Sequence, residues 1–335
     1  MTKLAFLGDT LLGGEAQPVL DENGSDWALE EIRTVVRDAD LVVANHEGPL
    51  TERIEPAHKT DTQRKRYWYR APPSAAAVLR GVGVKVVSLA NNHILDFGLE
   101  GLQDTIASLD AAGIAHSGAG LDETAAREPA IVEVGPWRIG FLSYLQRYEM
   151  YRHEGIYARG GRGGCARLRS AGLRGELAAL RRRADLCVAL VHWGRNYRPP
   201  SIGQRRWAAA LREAGADLIV GHHPHIPQPV LIEGRVPVFL SLGNAALGTP
   251  GRFHSGRPPY GMVGLVDLDD NCRVSAIGIR LLLVDNARVN FRPRLVEGSE
   301  ATEFLWSLVN PAASWREVAG GGLCTPVQYP DPPAY

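Results

Sequence analysis

Imidazole and carboxylate side chains carry the chemical signal of this sequence. Three histidines, His222, His223 and His225, fall within four residues at the end of the apolar run LIVGHHPH (218–225). Five other apolar runs also pass into a polar cluster: LAFLGD (4–9), LVVANHE (41–47), VVSLANNH (86–93), VALVHWG (188–194) and VFLSLGN (238–244). A strand buried on both faces reads as a continuous apolar run, and α/β sheets bind ligands beyond the carboxyl ends of their strands. Six strands in register therefore set Asp9, Asn45, Glu47, Asn92, His93, His192, His222, His223, His225 and Asn244 along one edge. Carboxylates mixed with imidazoles suit a divalent transition metal, Mn, Fe or Zn, better than Ca or Mg alone. On an extended segment His223 and His225 share a face, so both are placed to ligate neighbouring ions. Two ions ~3.5–4 Å apart activate water and polarise a scissile group.

Singly, these signals are weak. Gly8-Asp9 also reads as a turn, Asn91-Asn92 tolerates left-handed backbone, and His192 fits a hydrogen-bonded strand end. Their recurrence points to metal. His46, His58, His116, His153 and His254 read as structural or surface residues.

Helical spacing lies between the runs. Ala28, Ile32, Val35 and Val36 mark a helix within 26–38 after Ser25, and Ser74 opens an Ala-rich one. Leu102, Ile106 and Leu109 mark a third before Gly113, with further helices near 173–184 and 204–214. Gly135-Pro136 and Glu233-Gly234 each join two strands, and 261–270 and 274–285 add more. This order predicts an α/β sandwich with mixed sheets. With no linker evident, one domain is expected over 1–335, with a core at 3–248, a strand-rich part at 255–290 and a tail at 300–335.

Charge and composition exclude several classes. Lys+Arg and Asp+Glu are 37 each, which gives no basic excess for nucleic acid. A 45% hydrophobic content excludes a disordered chain. No run approaches the ~20 apolar residues of a membrane span, and MTKLAFLGD carries no secretory pattern. A cytoplasmic protein without a membrane partner is expected. Cys165, Cys187, Cys272 and Cys324 are scattered and read as reduced thiols. Residues 51–73 and 145–170 are long basic, aromatic excursions. They read either as solvated surface or as flaps over a site for an anionic ligand. Lys59 and Arg70, with Asn45, His222 and Asn244 from the strand ends, are the candidate substrate contacts.

The blocks GDTLLGG (8–14), NHEGPLT (45–51), SLANNHILDFG (88–98), HSGAG (116–120), VHWGRNY (191–197), GADLIVGHHPHIPQPV (215–230) and SLGN (241–244) resemble the CapA family. These are poly-γ-glutamate capsule-synthesis proteins within the calcineurin-like metallophosphoesterase superfamily. The resemblance covers roughly residues 3–248. It implies a four-layer α-β-β-α sandwich of two mixed sheets flanked by helices. It implies Asp9 and His225 as ligands of a first ion and Glu47 as the bridging carboxylate. Asn92, His192 and His223 would be ligands of a second ion. His93 would be the proton donor or charge stabiliser, with Asp96 of the same block beside it in the catalytic set. The chain departs from the pattern at Leu11, where superfamily phosphatases carry His, and at Glu47, where they use Asp. It departs again at His46, Asn196 and Ala245, where the family usually has Leu, Glu and Phe. Membrane-anchored members carry an N-terminal transmembrane segment, and the opening of this sequence does not read as one.

The implied activity is a metal-dependent hydrolase. Metal-activated water would attack an amide, γ-glutamyl, related acyl or phosphoryl centre of a small-molecule or peptide-like anionic substrate. The setting would be poly-γ-glutamate or peptide metabolism, with a ligase-type pathway partner. Leu11 and Asn196 sustain a second expectation, a non-catalytic accessory whose cleft binds polyglutamate. Acyl transfer to an amine is a third.

Overall fold

The computed structural model describes residues 1–57, 67–149, 155–250, 253, 257–310 and 313–328. Its strands, in chain order, are β1 (Thr2–Leu11), β2 (Leu41–His46), β3 (Val84–Ser88), β4 (Ala115–Ser117), β5 (Ala119–Gly120), β6 (Ala130–Val134), β7 (Trp137–Leu145), β8 (Gly164–Cys165), β9 (Leu186–His192), β10 (Leu218–His222), β11 (Pro227–Glu233), β12 (Val236–Leu242), β13 (Asn244–Leu247), β14 (Tyr260–Leu268), β15 (Val274–Leu283), β16 (Arg294–Val296), β17 (Arg316–Val318) and β18 (Gly322–Pro326). One sheet runs β17-β18-β15-β14-β1-β2-β3-β4, with β13 on β1 and β16 on β15. A second runs β11-β12-β10-β9-β7-β6, and β5 pairs with β8. Both large sheets are mixed. In the first, β1, β2, β3 and β4 are mutually parallel, whereas β14 and β15 are antiparallel to their neighbours. In the second, β7, β9, β10 and β12 are parallel, with antiparallel β6 and β11 at the edges.

Strand alternation sorts the apolar residues into three clusters. Leu4, Phe6, Val43 and Val86 of the first sheet pack with Phe141, Val188, Val220 and Phe239 of the second. Ala5, Leu7, Val42 and Val87, on the other face of the first sheet, pack with Leu20, Ile32, Leu79 and Leu102. Leu142, Ala189, Val191 and Leu240, on the other face of the second, pack with Leu173, Leu177 and Leu211. Both faces of the central strands are buried, which is why they read as unbroken apolar runs.

The helices differ from expectation mainly at their starts. The 26–38 segment is a 3-10 turn, Trp27–Leu29, followed by the helix Glu30–Val36, and Ser25 does not cap it. Ser74 precedes Ala75–Gly81 without a side-chain cap bond. In contrast, Ser201 and Gln204 form a capping box at the head of Ile202–Ala214. Both proposed hairpin turns are present, joining β6 to β7 and β11 to β12.

Candidate metal centre

The polar clusters do not line one sheet edge, as the sequence suggested. They come from two sheets whose strand ends meet, with β1, β2 and β3 on one side and β9, β10 and β12 on the other. Register does the first alignment: Asp9 stands opposite Asn45 and Asn244, and His192 opposite His222. The sheets are tied across the junction. The Asp9 N–H donates to the Gly243 carbonyl at 2.9 Å, and His222 Nε2 lies 3.2 Å from the Leu7 carbonyl oxygen. That contact seats His222, a candidate substrate contact, against β1.

Asp9, Glu47, Asn92, His192, His223 and His225 form one connected group. Asp9 Oδ2 is 3.2 Å from His225 Nδ1, and the His223 N–H donates to it at 3.3 Å. Glu47 divides its carboxylate: Oε1 is 3.6 Å from His192 Nε2 and Oε2 is 3.9 Å from His225 Nδ1. His192 Nε2 is 2.8 Å from Asn92 Oδ1. Ligand atoms of Glu47, His223 and His225 lie within 4.8 Å of one another. Asp9 and Glu47 are fully buried, and the imidazoles nearly so.

His223 and His225 do not sit on an extended segment. Their φ angles are 94° and 59°, in the left-handed region. Such a conformation costs a non-glycine residue ~1–3 kcal/mol and persists where the surroundings impose it. The bend around Pro224 turns both rings to the same group, with centroids 6.0 Å apart.

Asn45 and Asn244, candidate substrate contacts, hydrogen-bond within the group. Asn45 Nδ2 donates to Asp9 Oδ1 at 2.8 Å, and Asn244 Oδ1 lies 2.9 Å from His225 Nδ1. Such outer partners orient ligating side chains. Arg70 is half-buried, its guanidinium 5.8 Å from the Phe97 ring. Lys59, with His58, His153 and His254, lies outside the described residues.

Several contributors were not read from the sequence. Buried Asn91 accepts the N–H groups of Gly48 and His93 on Oδ1 and donates to the His46 carbonyl, locking the β2 and β3 ends together. Tyr69 stacks on His93 at 3.8 Å, and its N–H donates to Asp96 Oδ2 at 2.7 Å. The same oxygen is 2.8 Å from His93 Nδ1. Tyr148 and Tyr197 have ring centroids 6.0 and 5.6 Å from those of His223 and His225. Tyr69 and Tyr148 belong to the two basic, aromatic excursions, so the signal was their composition. His46, which fits its structural reading, is fully buried, with no hydrogen-bond partner for either ring nitrogen among the described residues.

Burial and mutual charge set the protonation states. Burial pushes Glu47 up to about 8, with the neighbouring Asp9 and Asp96 charges adding to it against His225. Burial pushes His223 down to about 3 and His46 to about 4, and lowers His192 and His222. Neutral imidazoles are the ligating form. At Asp9 and His225, burial is opposed by their own pairing. Asp9 ends below the usual carboxylate range and His225 rises to about 9, held by Glu47 and Asp9.

The group passes a simple test as a cation site. Both Glu47 oxygens, His192 Nδ1 and His223 Nδ1 are buried with no hydrogen-bond donor or acceptor among the described residues. A buried carboxylate without donors is costly unless a cation meets it. Three acceptors, on Asp9, Glu47 and Asn244, converge on the His225 ring, where a proton supplies the positive charge. Leu11, at the position where the resemblance implies His, is buried in an apolar cluster.

Comparison with known proteins gives a consistent set. The profile of the bacterial capsule synthesis protein PGA_cap matches residues 3–249. The chain is 28% identical over 242 residues to the PGA biosynthesis protein CapA of Bacillus subtilis, covering 72% of this chain and 62% of that protein. It is 28% identical over 246 residues to the capsule biosynthesis protein CapA of Bacillus anthracis, covering 72% and 58%. It is 31% identical over 239 residues to a probable polyglutamine synthesis accessory protein of Mycobacterium tuberculosis, covering 69% and 58%. The chain thus spans about 60% of the length of these relatives.

Proposed function

The chain belongs to the PGA_cap family of bacterial capsule synthesis proteins, the CapA family, and from that premise we propose that it is a metal-dependent hydrolase. Its substrate would be an amide, γ-glutamyl or related acyl or phosphoryl compound in poly-γ-glutamate metabolism. The clusters on either side of each large sheet support a helix-sheet-sheet-helix layering, which is the architecture this chemistry implies. The observation that carries the reading is Glu47, whose two donorless oxygens face different histidines. That division suits a bridge between two ions, Asp9 and His225 on one side and Asn92, His192 and His223 on the other. Bound Mn, Fe or Zn would supply water activated for attack and charge against the scissile group.

The remaining chemistry belongs to side chains. Asp96 accepts from His93 Nδ1 and stabilises the imidazolium, which leaves Nε2 to hand a proton to the leaving group. The Tyr69 ring fixes the imidazole plane, and the Tyr69 N–H holds the Asp96 oxygen in place. The strand-tip groups are buried, so they act on a substrate atom presented to them and exclude bulk water.

A second reading, a non-catalytic polyglutamate-binding accessory, is favoured by one feature. Leu11 removes a ligand from the first ion and lies in an apolar cluster. A screen against γ-glutamyl amides and phosphoesters, with added Mn, Fe or Zn, decides between them. Hydrolysis by the native chain, lost by about 100-fold or more in Asp9→Ala and His223→Ala, is the expected result. No turnover with any of the three metals favours the accessory reading.

A further inference from the structure

A second concentration of charge lies outside the metal group. A cavity of about 720 Å³ is lined by Arg127, Arg147, Arg159, Arg162, Arg167 and Arg169 together with Glu123. The local backbone forces these cations together. Arg159 and Arg162 close a two-residue turn over Gly160-Gly161, each accepting the other's N–H at 3.0 Å. Residues paired in that way face each other on one side of the hairpin, and like charges so placed repel. Arg167 and Arg169 are two apart on the segment that follows β8. Glu123 pins the turn: its Oε2 accepts the Gly160 N–H at 2.9 Å, and its Oε1 holds Arg169 at 3.0 Å.

Among the described residues, the carboxylates around the cavity do not balance this set. Glu176 engages Arg127 at 2.8 Å and Glu149 engages Arg147 at 2.8 Å. Among the described residues, neither Arg159 nor Arg167 has a carboxylate partner. The Nε atoms of Arg127 and Arg169 are buried without a hydrogen bond among those residues, and Arg127 Nε lies 3.7 Å from Glu123 Oε1. Gathering like charges this way costs stability, and a multivalent anion removes the cost. Planar guanidinium forks match carboxylates in pairs. The volume fits an organic ligand of several groups better than a single inorganic anion.

The cavity is linked to the metal group through Tyr157 and Tyr148. Arg147 faces it, whereas Gln146 and Tyr148, on either side in the chain, line a separate cavity with Arg195 and Arg198. Tyr157, on the wall of the arginine cavity, accepts the Tyr148 N–H at 2.9 Å and donates to the Gln146 carbonyl at 2.8 Å. Tyr148 in turn leans over His223. We propose that the arginine cavity is a second binding site, distinct from the metal centre, that holds a stretch of an anionic polycarboxylate chain. The choice of a polycarboxylate rests on the reading that this protein handles poly-γ-glutamate.

The test is fluorescence polarisation of a labelled γ-linked glutamate oligomer on the full chain. Binding that weakens with added salt is expected. Arg159→Ala/Arg167→Ala should weaken it by about tenfold or more. Arg294→Ala, an exposed arginine of β16 outside the cavity, should bind as the native chain does. The double variant should melt no lower than native without oligomer, because it removes repelling charges. Equal binding by the double variant and the native chain overturns the proposal. A loss confined to Glu47→Ala does so too, by assigning the oligomer to the metal centre. If a labelled polyphosphate binds through these arginines and the glutamate oligomer does not, the polycarboxylate assignment falls. The readout needs no turnover, so failure of the hydrolase reading leaves this result unaffected.

Discussion

At the scale of single residues, Glu47 and His225 hold opposite ends of one electrostatic problem. Glu47 is buried without donors and rises to about 8, while His225 rises to about 9 beside Asp9 and Glu47. Both are raised above their unfolded values, so each stabilises the metal-free fold at lower pH and loses that contribution as pH climbs through the folded value. His46 at about 4 and His223 at about 3, with His192 and His222 also lowered, act the other way. Their contribution is present above the unfolded histidine value of 6.5 and is lost as pH falls below it. Urea unfolding of metal-stripped protein should therefore give a maximum near pH 6.5 and a decline toward pH 9. Adding Mn or Zn should abolish the alkaline decline, because a cation takes the place of the lost protons. Metal-free stability that rises between pH 6.5 and 9 contradicts this electrostatic account.

At the scale of elements, the meeting of the two sheets depends on a close approach. A Cβ on Gly8 would lie 2.1 Å from the Gly243 carbonyl oxygen, the atom that accepts the Asp9 N–H. Gly8→Ala should therefore cost about 1–3 kcal/mol by urea titration and weaken metal binding by displacing Asp9. Gly175, in the helix Leu173–Arg181, has open space at its Cβ, and Gly175→Ala should stabilise by about 0.5–1 kcal/mol. Equal effects of the two substitutions contradict the close approach. The central strands were legible because burial on both faces leaves an uninterrupted apolar run, as in β9 and β10. Asp9, Glu47 and the histidines were legible because they end those runs. That the runs divide between two sheets was not, since an apolar strand carries no mark of the sheet it joins. The left-handed turn at His223 and His225 was hidden because no glycine signals it. Tyr69 and Tyr148 were invisible as individuals because irregular segments have no periodicity to place them. The two-residue β5 and β8 and the three-residue β16 and β17 are too short to show alternation.

At the scale of the molecule, the family profile stops at residue 249, yet the sheet does not. β14 pairs with β1 from Thr2↔Leu268 to Phe6↔Gly264, directly beside the strand that carries Asp9. Met262, Val266, Ile277 and Ile279 fill the cluster between the sheets. A chain ended at residue 249 would expose an edge of β1 and that apolar face. It should aggregate or lack a cooperative unfolding transition, as read by gel filtration and circular dichroism. A monomeric, cooperatively unfolding fragment contradicts this role for β14 and β15. Among the described residues no helix is long and apolar enough to cross a membrane.

The ends of β1, β2, β3, β9 and β10 are proposed to cage divalent ions. Elemental analysis of the purified chain, after loading with Mn, Fe or Zn and exhaustive dialysis, tests that proposal most directly. The expected result is transition metal retained at stoichiometric level, approaching two ions per chain, and lost in Glu47→Ala. Native protein that retains no metal, or a Glu47→Ala variant that retains as much as native, contradicts it.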